Sequence, residues 1–244
     1  MAAGSLDKEH TVPPKYDHSR LEARRRFLRL LIRTIGFTLL AKLDHVEGLE
    51  NVPSQGAAIL MINHIALIDP IVVLHVMPRN IVPLAKIEVY DYPVVGIFPR
   101  LWRVIPVRRE EVDRRAVQQV QEVLRAGEVV LVAPEGTRGP SLSQGKEGIA
   151  YLAARSNALV VPVAIEGTVG FPALRFTYAW KQPGAVVKFG RPFRYRGGIN
   201  YRDRGNLRQM TDEAMYILAA MLPERRRGLY ADLSQASKDT IELL

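Results

Sequence analysis

His64 and Asp69 are the pair in this sequence best suited to moving a proton. An imidazole can take a proton from a nucleophile. A carboxylate can accept the other ring N–H, hold the tautomer and stabilise the imidazolium. Five residues is about 140° around a helix, so the two meet only if a turn lies between them. The same residues also fit a structural reading. Asp69 before Pro70 has the form of an N-cap followed by a first-turn proline, and His64 the form of a buried, satisfied histidine. A second group is Pro134-Glu135-Gly136-Thr137-Arg138. Arg138 can clamp a phosphate with two parallel hydrogen bonds while Glu135 accepts from a hydroxyl. Taken alone, the group also reads as a surface turn with an exposed ion pair. The basic pair Arg108-Arg109 ends a short apolar run and is an anion-site candidate. For Arg108, solvation beside Glu110 and Glu111 is the simpler reading.

These groups need elements to position them. The apolar runs 57–62, 81–85, 104–107, 128–132 and 159–165 read as buried strands, and 185–189 as a late strand. Between them, 70–76, 111–126 and 145–155 read as helices, and 207–221 closes with apolar residues at helical spacing. Gly127 is the expected stop of the helix over 111–126. Continuous apolar strands separated by amphipathic helices predict an α/β fold with a largely parallel central sheet flanked by helices. Ligands of such sheets bind beyond the carboxyl ends of the strands. His64 and Glu135 follow two of those ends.

Ahead of this domain, Arg20 to Arg33 holds six arginines against one glutamate. On a helical wheel Phe27, Leu28, Leu31, Ile32, Ile35 and Leu39 fall on one side, and Arg26, Arg29 and Arg33 on the other. This predicts a basic amphipathic helix, or a pair broken at Gly36. It either lies on a membrane with guanidinium groups on anionic headgroups or packs on the domain with a solvated basic face. The expected membrane contacts are Arg26, Phe27, Arg29, Leu31 and Arg33. The expected organisation is a polar leader (1–19), this segment (20–43), the α/β domain (44–222) and a peripheral C-terminal tail (223–244).

Composition narrows the chemistry. The 244 residues contain no cysteine, which excludes disulfides, thiolate zinc sites, cysteine nucleophiles and iron–sulfur clusters. The formal net charge of +9 suits anionic partners. No stretch reads as a transmembrane helix or a signal peptide, so the expected location is peripheral, on the cytosolic face of a membrane.

In the order Asn63-His64-x4-Asp69, Ile105-Pro106-Val107-Arg108-Arg109, Pro134-Glu135-Gly136-Thr137-Arg138 and Val161-Pro162-Val163, the chain resembles the lysophosphatidate acyltransferase (1-acylglycerol-3-phosphate acyltransferase) family over roughly residues 46–165. The resemblance implies transfer of a fatty acyl group from acyl-CoA or acyl-carrier protein to the free hydroxyl of 1-acylglycerol 3-phosphate, giving phosphatidate. It implies His64 as the catalytic histidine and Asp69 as its carboxylate. Glu135, Gly136, Thr137 and Arg138 become the acceptor-binding block, Arg109 a phosphate-site arginine, and Pro162 a structural residue. It implies no metal and no cofactor beyond the thioester co-substrate, with an anionic membrane as partner and no nucleic acid. Ile65, Ala66 and Leu67 are apolar where the family commonly has small polar residues, glutamine or serine. Arg103 stands where a glycine usually precedes the middle strand. Glycerol 3-phosphate, another lysophospholipid or an amino-lipid therefore remain alternative acceptors. A non-enzymatic basic membrane-binding module is a third reading, which leaves the ordered blocks without purpose.

Overall fold

The computed structural model describes residues 18–108 and 113–244. In chain order the elements are α1 (His18–Leu31), a π turn (Ile32–Gly36), α2 (Phe37–Leu40), β1 (Leu43–Glu47), β2 (Ala58–Ile62), α3 (Asp69–Val76), β3 (Ile81–Lys86), α4 (Ile97–Trp102) and β4 (Ile105–Val107). There follow α5 (Arg114–Arg125), β5 (Val129–Val132), α6 (Gly148–Ser156), β6 (Leu159–Glu166), β7 (Ala185–Phe189), β8 (Phe193–Tyr195), α7 (Arg204–Ala220), α8 (Glu224–Arg227) and β9 (Ile241–Leu243).

All these strands join one sheet, ordered β1-β7-β6-β2-β5-β3-β4, with β8 and β9 branching from β6. Strands β2 to β6 run parallel to one another. β7 and β8 pair antiparallel with β6, and β1 is parallel to β7. The α/β expectation with a mostly parallel sheet therefore holds. Strand β2 shows why its run is apolar throughout. Ala58, Leu60 and Ile62 face a layer containing Val72 and Val73 of α3, Trp102 and Phe37, whereas Ile59 and Met61 face Val120 and Val123 of α5, Ile149 of α6 and Leu218 of α7. Both faces of the strand are covered, so alternation disappears.

Three features differ from expectation. First, the expected N-terminal helical segment is present, but it continues through Gly36, whose backbone is helical (φ −62°, ψ −49°), with a π turn over Ile32–Gly36. Two arginines of the basic face also dock on the domain. Arg29 donates to the Pro78 carbonyl (3.0 Å), and Arg33 to those of His75 (2.9 Å) and Met77 (2.7 Å). These guanidinium groups satisfy carbonyls left open at the end of α3. Leu28 and Ile32 pack on the core, while Phe27, Leu30, Leu31, Ile35, Leu39 and Leu40 are exposed. Arg26 is exposed and pairs with Glu22.

Second, α4 appears where no helix is expected. It ends at Arg103, which is left-handed at φ 61°. This explains the glycine anticipated there: a side chain in that conformation costs roughly 1–2 kcal/mol. Arg25, fully buried on α1, donates to the carbonyls of Trp102 (2.9 Å) and Arg103 (3.2 Å) and holds the turn.

Third, residues 223–244 are not peripheral. β9 pairs with β8 through Phe193↔Leu243, Arg194↔Glu242 and Tyr195↔Ile241, and Tyr230 is buried. A three-residue strand, Ile241-Glu242-Leu243, is too short to carry a periodic signal, so this pairing is invisible locally. Of the expected leader, residues 1–17 lie outside the described residues.

Candidate active site

The turn that the His64–Asp69 spacing requires is present. β2 ends at Ile62, and Asn63 is buried with its amide bonded to both backbone groups of Ile165 (Nδ2 to O, 2.9 Å; Oδ1 from N, 2.7 Å). Asn63 thus ties the exit of β2 to β6. The chain then turns through Ile65–Ile68 into α3, whose first turn holds Asp69 and Pro70.

The Asp69 carboxylate is wholly buried and does not cap its own helix in the usual way. Its Oδ2 accepts from the backbone N–H of Ile65 (2.7 Å) and Ala66 (2.8 Å) and meets His64 Nδ1 at 2.9 Å. Its Oδ1 accepts the hydroxyl of Thr168 (2.6 Å). Since the carboxylate can only accept, Nδ1 carries the proton and Nε2 keeps its lone pair. The imidazole is partly open, with 17% of its side chain exposed.

The loop after β5 braces this turn from the other side. Glu135, 4% exposed, accepts the backbone N–H of His64 through Oε1 (3.3 Å), and the N–H (2.8 Å) and hydroxyl (3.2 Å) of Ser143 through Oε2. The N–H of Gly139 donates to the carbonyl of His64 (3.0 Å). His64 is therefore held at both backbone groups and at its ring. Both Glu135 oxygens are engaged within the protein, so this carboxylate positions the histidine loop rather than reaching for a substrate hydroxyl. Burial raises its pKa, and the bonds from Ser143 and His64 oppose that rise.

Gly136 is left-handed (φ 68°), as its turn requires, and a Cβ there would come within 3.2 Å of Lys146 Cε. Thr137 and Arg138 are exposed beyond it. Among the described residues neither Arg138 nor Lys146 has an ion-pair partner, so both cations are available to an anion beside His64. Arg109 lies outside the described residues. Pro162 sits in β6 opposite Met61, and its carbonyl accepts from Gly190 (2.8 Å), a structural place. A cavity of about 420 Å³ is bounded by α7 and the tail and includes none of these residues.

A family model, Acyltransferase, matches residues 45–166. The chain belongs to the acyltransferase family. Over 130 residues it is 32% identical to the 1-acyl-sn-glycerol-3-phosphate acyltransferase of Borreliella burgdorferi, covering 52% of each chain. Over 123 residues it is 28% identical to the Bacillus subtilis protein of the same name, covering 50% of this chain and 62% of that one. The chain spans about half the length of the curated relatives it matches. The solved 1-acyl-sn-glycerophosphate (LPA) acyltransferase PlsC of Thermotoga maritima shares the fold, at a TM-score of 0.58 and 24% identity over 82% of this chain and 80% of that one.

The family match spans His64, Asp69 and Glu135 to Arg138 but stops before Thr168. Three residues of the site are not singled out by the sequence, and Asn63 stands in its motif there without a role. Lys146 is a cation close behind the Glu135–Arg138 block. Ser143 and Thr168 carry no signal: a serine in a loop, and a hydroxyl 99 residues from the carboxylate it serves.

Proposed function

We propose that this chain is a membrane-surface O-acyltransferase that moves a fatty acyl group from a thioester, acyl-CoA or acyl-carrier protein, to the free hydroxyl of 1-acylglycerol 3-phosphate, giving phosphatidate. The observation that carries this reading is the 2.9 Å bond between His64 Nδ1 and the buried Asp69, at the mouth of a parallel sheet.

An alcohol is a weak nucleophile, so its proton must leave as it attacks. Nε2 of His64 takes that proton while the acceptor oxygen bonds to the thioester carbonyl carbon. The resulting imidazolium is stabilised by Asp69, whose carboxylate is held in place by its other donors. The tetrahedral intermediate then collapses with cleavage of the C–S bond, and the proton passes from Nε2 to the departing thiolate. Arg138 and Lys146 offset the acceptor's phosphate charge. The names of the relatives favour 1-acylglycerol 3-phosphate as acceptor. The apolar Ile65-Ala66-Leu67 turn favours a second reading with another lysophospholipid or glycerol 3-phosphate.

The exposed apolar residues of α1 and α2, set in a chain of net charge +9, favour residence on an anionic membrane, on the cytosolic face. Among the described residues no helix is long and apolar enough to cross a membrane.

The test is thiol release from acyl-CoA and from acyl-carrier protein with a panel of lysolipids, products being read by mass spectrometry. Lysophosphatidate-dependent release of thiol is expected, with His64→Ala slower by at least ~100-fold and unchanged in circular dichroism. Near-wild-type turnover of that variant would end the assignment.

A further inference from the structure

Residues 167–184 lead from the site back to the N-terminal helical segment, and several of their outward side chains are apolar. Val169, Leu174, Phe176 and Tyr178 are exposed, Phe176 at 85% and Tyr178 at 72%. The loop beneath them is tied down. The Trp180 indole donates to the Ala173 carbonyl (2.7 Å), and Phe171 meets the Trp180 ring edge-on at 5.9 Å. Arg175 lies over that ring at 5.3 Å and donates to the Thr38 carbonyl (3.0 Å), while the N–H of Ala173 donates to the Leu40 carbonyl (2.9 Å). The Lys181 ammonium lies over the Tyr178 ring at 5.9 Å, but a held loop that points two aromatic rings outward does so at no benefit to its own core.

The last two bonds join the loop to α2, so its apolar side chains continue into exposed Leu39, Leu40, Ile35, Leu31 and Phe27. Charge along this surface is mostly positive, with Glu22 paired to Arg26 and Asp44 to Lys42 at its margins. No acidic residue lies between Glu22 and Asp44 or between Glu166 and Asp203, and the same stretches contribute Arg24, Arg26, Lys42, Arg175 and Lys181. Apolar rings set among an excess of cations match the headgroup and acyl boundary of an anionic bilayer.

We propose that the loop over 167–184 is a second membrane-inserting element, in which Phe176 and Tyr178 enter an anionic phospholipid bilayer beside α1 and α2. The proposal rests on the membrane reading given above and adds to it a contact that follows β6 directly. Thr168, at the root of the loop, is bonded to Asp69. Insertion of the loop therefore brings the His64 end of the sheet to the lipid that carries the acceptor.

The absence of cysteine allows a direct test in the full chain. Phe176→Cys, and Gln118→Cys on the exposed side of α5 as control, are labelled with an environment-sensitive nitrobenzoxadiazole dye. Each is mixed with vesicles of equal parts phosphatidylcholine and phosphatidylglycerol. The label at 176 should brighten several-fold and be quenched by acyl-chain-brominated lipid, whereas the label at 118 should do neither. Unlabelled Phe176→Ser/Tyr178→Ser should bind the same vesicles about tenfold more weakly. If the protein sediments with vesicles while the label at 176 remains as in water, the loop proposal falls and membrane residence stands. If it does not sediment at all, both fall. Brightening without vesicles as protein concentration rises would overturn the proposal in favour of contact with a second copy.

Discussion

A carboxylate as deeply buried as Asp69 persists because four donors converge on it: two backbone N–H groups, the imidazole and the Thr168 hydroxyl. Each hydrogen bond to a charged group is worth roughly 1.5–3 kcal/mol, and together they offset the cost of burying the carboxylate. Thr168 is then a positioning residue, touching Asp69 and not the reacting atoms. Gly167 (φ 74°) gives it access, since a Cβ there would sit 2.0 Å from the Gly184 carbonyl oxygen. Thr168→Val keeps the volume and removes the donor. It should lower kcat by about 10-fold, the equivalent of ~1.4 kcal/mol, leave KM for the acceptor near wild type, and be rescued by Thr168→Ser. Steady-state kinetics decide it; an unchanged kcat for the valine variant would mean that the other three donors suffice.

The docking of the N-terminal segment onto α3 has its own pH dependence. His75, in the last turn of α3, stacks on Phe37 with ring centroids 3.9 Å apart, and its Nδ1 is buried without a partner among the described residues. Burial lowers its pKa, and the nearby Arg33 charge lowers it further. The unfolded chain takes up this proton near pH ~6.5, while the folded chain resists until lower pH. The unfolded state thus binds more protons below that value, and stability falls as pH falls. The slope from this group is at most ~1.4 kcal/mol per pH unit. Thermal melts at pH ~7.5 and ~5.5 should show a smaller acid-induced drop in Tm for His75→Phe, which keeps the stack, than for the wild type. Equal drops would assign the acid sensitivity elsewhere.

At the scale of the molecule, the C-terminal residues support the site through the loop at 139–145. Arg226 and Arg225 both bond to Glu166 (2.7 Å each) at the end of β6, and Arg226 also donates to the Pro140 carbonyl (2.6 Å). The N–H of Leu142 donates to the Arg226 carbonyl (2.8 Å). Tyr230 accepts from the Gly145 N–H (3.2 Å), donates to Asp212 (2.9 Å) and meets Tyr216 edge-on at 5.1 Å. The loop so anchored carries Ser143 and Gly139, which hold Glu135 and His64. Tyr230→Ala should cost about 3 kcal/mol, in line with removing a large buried aromatic, as read by urea unfolding. A loss below ~1 kcal/mol would return the tail to the periphery.

The sequence alone determined the strands 57–62, 81–85, 128–132 and 159–165, the helices over 70–76, 111–126 and 145–155, and the places of His64, Asp69 and Glu135 to Arg138 at strand exits. Apolar runs and the helical period are local properties, readable without knowing what packs against them. Tertiary structure alone decided what the polar groups bond to. It turned the Glu135 carboxylate toward a backbone 71 residues away, brought Thr168 to Asp69 and directed Arg29 and Arg33 inward to the end of α3. It also made the tail a sheet edge. A hydrogen bond selects its partner by proximity in space, and that proximity exists only after the apolar strands have assembled into the sheet.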